Sequence, residues 1–387
     1  MTQKLSSTID GLTGLRGVAA WWVVLFHVRT VIIPLFLNAD MVSALVQSWQ
    51  RILHVNIRPL FYGWMGVQVF FVLSGFLLFL PFARVLLGQR EKINLLEYFK
   101  RRFKRILPAY YFQLVILAVL SFFGLYQSTT WTNWIMHGLM IHNFSSVYNW
   151  ELNGVSWTVP VEFDFYLLLP LLFLFIRKSG IYNFVLAALG GAIIYKMMVF
   201  SYAIDKEVIY KVWLFGQLPG RIDLFAFGML GAFIYEKYNQ QIQQFKYKNY
   251  LEFGLLAGGV FAVWLLIKFL MSMEGKFWLG HPSLFFYDSL LGVAILLIVL
   301  GITIQGKLTK ILFANRLVVY LGEISYSTYL WHMPLLLFVF QNPQIKKYIQ
   351  ANPNENLLLV LLFAIGLVLF ASILSYRYVE LPFLRKK

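Results

Sequence analysis

Apolar positions in this chain come in long unbroken runs, and short polar turns separate one run from the next. Ten such runs lie near residues 13–36, 61–87, 106–126, 157–176, 182–202, 212–235, 251–271, 283–304, 317–340 and 357–377. Each is close to the roughly 20 residues that cross a bilayer core of about 30 Å. Backbone inside lipid must satisfy its own hydrogen bonds, which leaves only helices or a closed barrel, and the lack of period-two alternation excludes the barrel. The expected fold is therefore all-α, a polytopic membrane helix bundle of about ten transmembrane helices forming a single domain over residues 1–387.

Composition agrees with that pattern. The 387 residues are 60% hydrophobic and 13% charged, with mean hydropathy +0.69, too apolar for the two or three soluble domains this length would otherwise hold. Zero cysteines exclude disulfides, a thiolate nucleophile and thiolate metal sites. The first run carries Arg29 and Pro34 at its far end and shows no small-residue cleavage pattern, so it reads as a retained span and not as a leader. No low-complexity linker or internal repeat interrupts the chain.

Charge then orients the bundle. With both termini cytoplasmic, the inside segments hold Lys4, the dense group from Arg84 to Arg105, and Arg177, Lys178, Lys237, Lys246, Lys248, Lys307, Lys310, Arg316, Arg377, Arg385, Lys386 and Lys387. The outside segments hold Arg29, Arg51, Arg58, Lys206, Lys211, Lys268, Lys276, Lys346 and Lys347, fewer than half as many. Counting residues 131–147 as an eleventh span would even out that bias, so this stretch, broken by Asn133, His137, His142 and Asn143, is read as interfacial or re-entrant on the outside. The net charge of +16 is then a product of topology and attraction to anionic lipid, and nucleic acid is not expected as a partner.

Ionisable residues inside spans are costly, which makes each a functional candidate. Arg16 and His27 are separated by eleven positions; at 100° per residue they return to within about 20° of one face, about 16.5 Å apart along the axis. A neutral imidazole near mid-bilayer can take a proton from a hydroxyl and return it. The basic stretch Lys100 to Arg105 opens the third span, with Arg102 and Arg105 on one face. Guanidinium forks suit the oxygens of a polyanionic donor, while positive-inside charge alone also accounts for most of the run. At the outer start of the fourth span, Pro160 falls in the first turn and Glu162 lies about 7.5 Å in from Trp157. That depth is roughly one helical turn from His27, so Glu162 either tunes the imidazole, holds the acceptor, or pairs with Arg221; the same structural pairing is open for Asp164. Arg221 and Asp223 face different sides of one helix and are expected to serve different spans. Asp288, Glu323, Tyr326, Tyr329, His332 and Glu380 are candidates for polar contacts between helices. The tryptophans and tyrosines read mainly as interfacial belts, with Trp21, Trp22 and Trp331 as candidates for stacking on a sugar.

Six segments in order resemble the acyltransferase 3 family: Leu12 to Ala20 ending at His27, Phe70 to Phe76, Arg102 to Pro108, Trp157 to Tyr166, Tyr326 to Pro334, and Tyr378 to Phe383. In the fourth segment Thr158 and Pro160 stand where the family usually has serines. The resemblance implies an integral O-acyltransferase whose co-substrate is acyl-CoA, commonly acetyl-CoA, bound from the cytoplasm, with no permanently bound cofactor and no metal. It implies Arg16, Arg102 and Arg105 as the residues for the CoA moiety and His27 and Glu162 as the catalytic pair. Trp157, Thr158, Asp164 and His332 stand as candidates for holding a carbohydrate or related hydroxylated acceptor. A multi-pass location in the cell membrane, contact with lipid, and action alone or with a separate extracytoplasmic acyl-accepting protein follow from the same likeness. Two other readings use the same residues: a secondary transporter or flippase for a glycan, with the histidine and carboxylates as a proton relay, and an acyltransferase of a different membrane family.

Overall fold

The computed structural model describes residues 2–32, 58–273 and 276–384. The far end of the first apolar run, with Pro34, and the basic residues Arg51, Arg385, Lys386 and Lys387 lie outside the described residues. Every regular element among the described residues is helical. Among the described residues, eight helices are long and apolar enough to cross a membrane: Asp10–Thr30, Met65–Leu86, Leu95–Phe122, Thr158–Ser179, Ile181–Tyr202, Leu218–Gln244, Lys248–Ser272 and Glu355–Leu384. The protein is thus an all-α polytopic bundle.

Three apolar runs resolve differently from a single uninterrupted span. The run at 212–235 is cut at Gln217, where Val208–Gly216 ends and Pro219 opens Leu218–Gln244 from its first turn; a proline there loses no intrahelical bond, whereas one turn further in it would. The run at 283–304 begins with a 3-10 turn, Pro282–Phe285, and its regular part is the shorter helix Tyr287–Thr303. The run at 317–340 breaks at Ile324 into Arg316–Glu323 and Ser325–Gln341. The 131–147 stretch forms only the short helix Trp131–Gly138 and the 3-10 turn His142–Phe144, neither long enough to span.

The chain divides into two compact units. The first comprises residues 1–16, 67–100 and 158–322. Its centre is the pair Met65–Leu86 and Leu218–Gln244, which approach backbone to backbone: a Cβ on Gly75 would lie 2.2 Å from the Phe225 carbonyl oxygen, and one on Gly228 would lie 2.0 Å from that of Val72. Phe165 of Thr158–Ser179 stacks on Phe225 at 4.0 Å between centroids, and Phe71 meets the same ring at 5.0 Å. Arg84 binds Glu236 at 2.8 Å at one end of this pair. Buried Glu252 accepts the amides of Leu308 at 3.2 Å and Thr309 at 2.9 Å, filling the open donors at the start of Lys307–Leu312 with a carboxylate.

The second unit comprises residues 17–66, 101–157 and 323–387. One apolar cluster joins Val28, Leu336, Val339, Phe340, Ile349 and Leu361 from four helical elements. The 123–157 connection is held to the helices by polar contacts. Tyr329 Oη donates to the Val155 carbonyl at 2.7 Å, Asn153 Nδ2 to that of Leu330 at 3.0 Å, and Tyr110 Oη to that of His137 at 2.9 Å.

Candidate active site

In the second unit the first helix ends at His27 and passes directly into a π-helical turn, Val28–Ile32. Such wide turns recur at functional positions. His27 Nδ1 lies 3.0 Å from the Val23 carbonyl oxygen, one turn back along its own helix. The ring that meets it comes from Ser325–Gln341: His332 Nε2 is 3.3 Å from His27 Nδ1, with centroids 5.1 Å apart. His332 Nδ1 lies 2.8 Å from the Tyr329 oxygen and 3.1 Å from the Thr328 oxygen. His332 is fully buried at 0% exposure, whereas His27 is only partly buried. His332, expected among the acceptor-binding residues, therefore sits behind His27 with no surface of its own.

The expected cation cluster is placed on two elements. Arg16 is half-buried in the first helix, in the first unit. Arg102 and Arg105 belong to the second unit and sit within Leu95–Phe122, which starts well before the run that predicted it. Arg105 Nη1 is 3.9 Å from Glu380 Oε2, and that buried carboxylate also accepts from Ser327 Oγ. Glu380 thus offsets part of the Arg105 charge. Arg102 differs: its Nε is buried and has no hydrogen-bond partner among the described residues. An orphaned guanidinium N–H is a donor in search of an oxygen.

Glu162 belongs to the first unit, about one turn into a helix that starts at Thr158. Its Oε1 accepts from Ser74 Oγ and, at 2.7 Å, from Tyr166 Oη. Two hydroxyl donors on one oxygen leave Oε2 for a further donor. Thr158 is buried and Asp164 half-buried on the same helix. Trp157, at the end of the 123–157 connection, packs edge-to-face on Trp150 at 6.4 Å.

Arg221, expected as a structural partner for Glu162 or Asp164, has its Nη1 2.6 Å from Asp288 Oδ2. Asp288 also meets Lys196 Nζ at 3.0 Å and accepts from Gln68 Nε2 at 3.2 Å. Asp223 lies 4.0 Å from Lys196 and accepts from Ser289 Oγ at 2.6 Å. Arg221 and Asp223 therefore converge on adjacent residues of one neighbouring helix, Tyr287–Thr303, rather than serving separate spans. The quartet is formally neutral, which is the form in which charges persist in a bundle interior. Sequence marks Arg221, Asp223 and Asp288 singly by the cost of burying them, and Lys196 inside Ile181–Tyr202 carries the same signal.

A second feature missed from sequence lies outside the spans. His137 and His142 stack with centroids 3.8 Å apart and planes at 7°. Burial pushes His137 down to about 4; burial, aided by His137, pushes His142 down to about 3. The polar interruptions at these positions argued against a span without disclosing that the rings meet.

A family profile described as Acyltransferase domain, that of acyltransferase 3, matches residues 9–377. The chain is 26% identical over 407 aligned residues to O-acetyltransferase OatA of Staphylococcus aureus strains NCTC 8325, COL and MRSA252, a match covering 98% of this chain and 57% of each relative. It thus spans little more than half the length of the curated relatives it matches. No solved structure matches it.

Proposed function

This chain belongs to the acyltransferase 3 family, and from that premise we propose that it moves an acetyl group from acetyl-CoA, met on the cytoplasmic side of the cell membrane, to a hydroxyl of a carbohydrate or related acceptor. That it is a multi-pass membrane O-acyltransferase follows from the family and the apolar helices. Acetyl as the acyl group is drawn from the relatives' names.

One observation carries the reading: a partly exposed imidazole, His27, whose ring is fixed by a backbone oxygen and a second imidazole. A general base must be oriented toward the hydroxyl it deprotonates, and both contacts of His27 fall on the same ring nitrogen, leaving the other for substrate. The acceptor hydroxyl gives its proton to His27 as its oxygen bonds to the thioester carbon. The C–S bond then breaks, and the departing thiolate takes the proton from the imidazolium. Atoms and charge balance, and CoA leaves as the thiol.

Arg102 would bind a CoA phosphate through its orphaned N–H, with Arg105 on the same helix adding charge; Arg16 is assigned to the same donor by the family resemblance alone. Glu162 would accept a hydroxyl of the acceptor at Oε2, with Thr158 and Asp164 of the same helix as further contacts; Trp157 is assigned to the acceptor by its place in the family-like segment alone. The test is direct. Purified protein with acetyl-CoA and an acceptor extract should release free thiol, and His27→Ala should abolish the release; full activity in that variant would remove the mechanism. Acid quench and peptide mass spectrometry separate this base route from a carrier route, in which His27 itself gains the acetyl mass.

A further inference from the structure

His332 Nδ1 faces two carbonyl oxygens, those of Tyr329 and Thr328. A carbonyl oxygen only accepts, so the ring hydrogen of neutral His332 resides on Nδ1 and its Nε2 is a bare lone pair. That lone pair points at His27 Nδ1, 3.3 Å away. His27 Nδ1 also faces the Val23 oxygen at 3.0 Å. With an acceptor on each side, His27 Nδ1 must carry the hydrogen and share it. Neutral His27 therefore has one tautomer, with Nε2 free.

We infer that His332 is a positioning residue for the acyl transfer: its Nε2 accepts the Nδ1 hydrogen of His27, holding the His27 ring so that Nε2 is the base and steadying the imidazolium formed when the acceptor hydroxyl is deprotonated. The pair forms a relay ending in backbone: Tyr329 oxygen, His332 Nδ1–H, His332 Nε2, His27 Nδ1–H, His27 Nε2. A buried imidazole here does what a buried carboxylate does behind the histidine of a serine hydrolase, orienting it and fixing its tautomer. It does so without placing a net negative charge in the bundle, which lipid would penalise. The N···N separation is long for a hydrogen bond at rest, and catalytic contacts tighten when substrate is bound.

This inference rests on His27 as the reacting base, and its test has one arm that reads the rings without turnover. Histidine labelled with ¹⁵N in the full-length protein, with His27→Ala and His332→Gln used to assign signals, should show His27 protonated at Nδ1 and bare at Nε2, and His332 likewise. Replacing His332 by Leu should displace the His27 Nδ1 signal. A His27 ring protonated at Nε2, or an Nδ1 signal indifferent to His332→Leu, overturns the inference even if the enzyme acetylates normally. In the second arm, His332→Leu should lower kcat about 10²-fold, within the 10²–10⁴ span of a general base's whole contribution, with KM for acetyl-CoA unchanged. His332→Gln, which keeps an acceptor oxygen, should recover at least a third of the lost decades. Unchanged kcat in the Leu variant, or Gln no better than Leu while both are folded by melting temperature, also overturns it. Absence of activity in the wild type with the expected ring signals would instead count against the proposed function alone.

Discussion

Replacing Asp288 by Asn tests how the charged quartet of the first unit is held. Asp288 is 8% exposed and receives three contacts: Arg221 at 2.6 Å, Lys196 at 3.0 Å and Gln68 at 3.2 Å. The amide keeps the shape and one acceptor oxygen but leaves Arg221 and Lys196 facing Asp223 alone, a buried group carrying one net positive charge. Breaking a buried ion pair from one side costs about 3–5 kcal/mol. An ordinary hydrogen bond between membrane helices is worth only about 0.6 kcal/mol on average, because helices separated in the membrane find other partners. The two explanations therefore differ about fivefold, and the charge argument predicts a loss of about 3 kcal/mol or more, roughly two decades in the folding constant at about 1.4 kcal/mol per decade. Adding Arg221→Met restores neutrality and should recover more than half of that loss. The assay is reversible unfolding in detergent micelles, followed by near-UV circular dichroism. A single variant within 1 kcal/mol of wild type, or a double variant no more stable than the single, would refute the reasoning.

Gly228→Ala puts a Cβ 2.0 Å from the Val72 oxygen; overpacking against backbone costs about 1–3 kcal/mol or more, and the expected readout is a lowered melting temperature, absent for Gly190→Ala, where nothing lies within 4 Å. Arg102→Gln should raise KM for acetyl-CoA about tenfold with little change in kcat, since it removes a contact that ground and transition states share; a change confined to kcat would contradict it. His137 and His142 bear on pH stability. Their folded values are lowered to about 4 and about 3 from an unfolded value near 6.5, so the unfolded chain binds more protons in between. The stability they contribute is complete above about pH 6.5 and is lost as pH falls toward 4; melting temperature against pH should show this fall, flattened in the His137→Leu/His142→Gln variant.

The architecture was readable where one local property decides it. Long apolar runs gave helices, and the eleven-residue spacing of Arg16 and His27 lies on one uninterrupted helix. The break at Gln217 was written in the chain as Gly216, Pro219 and Gly220, punctuation that averaging over an apolar window hides. The break at Ile324 is marked only by Gly322, with no proline beside it, and hydropathy does not register a change of direction. The polar partnerships were the least readable. His27 and His332 are 305 positions apart, and Gln68 and Asp288 are 220 apart, so neither pairing leaves a periodicity. Candidate residues were recognisable by the cost of burying them; which of them meet was decided by packing that no local window contains.

The close approach at Gly75 and Gly228 constrains how the first unit admits anything. Two helices touching through their main chains have no side-chain cushion to slide on, so Met65–Leu86 and Leu218–Gln244 behave as one rigid spine. Ser74, the hydroxyl that holds Glu162, rides on that spine. Any separation of Glu162 from that hydroxyl therefore has to come from Thr158–Ser179, because the Ser74 side of the contact is fixed in place.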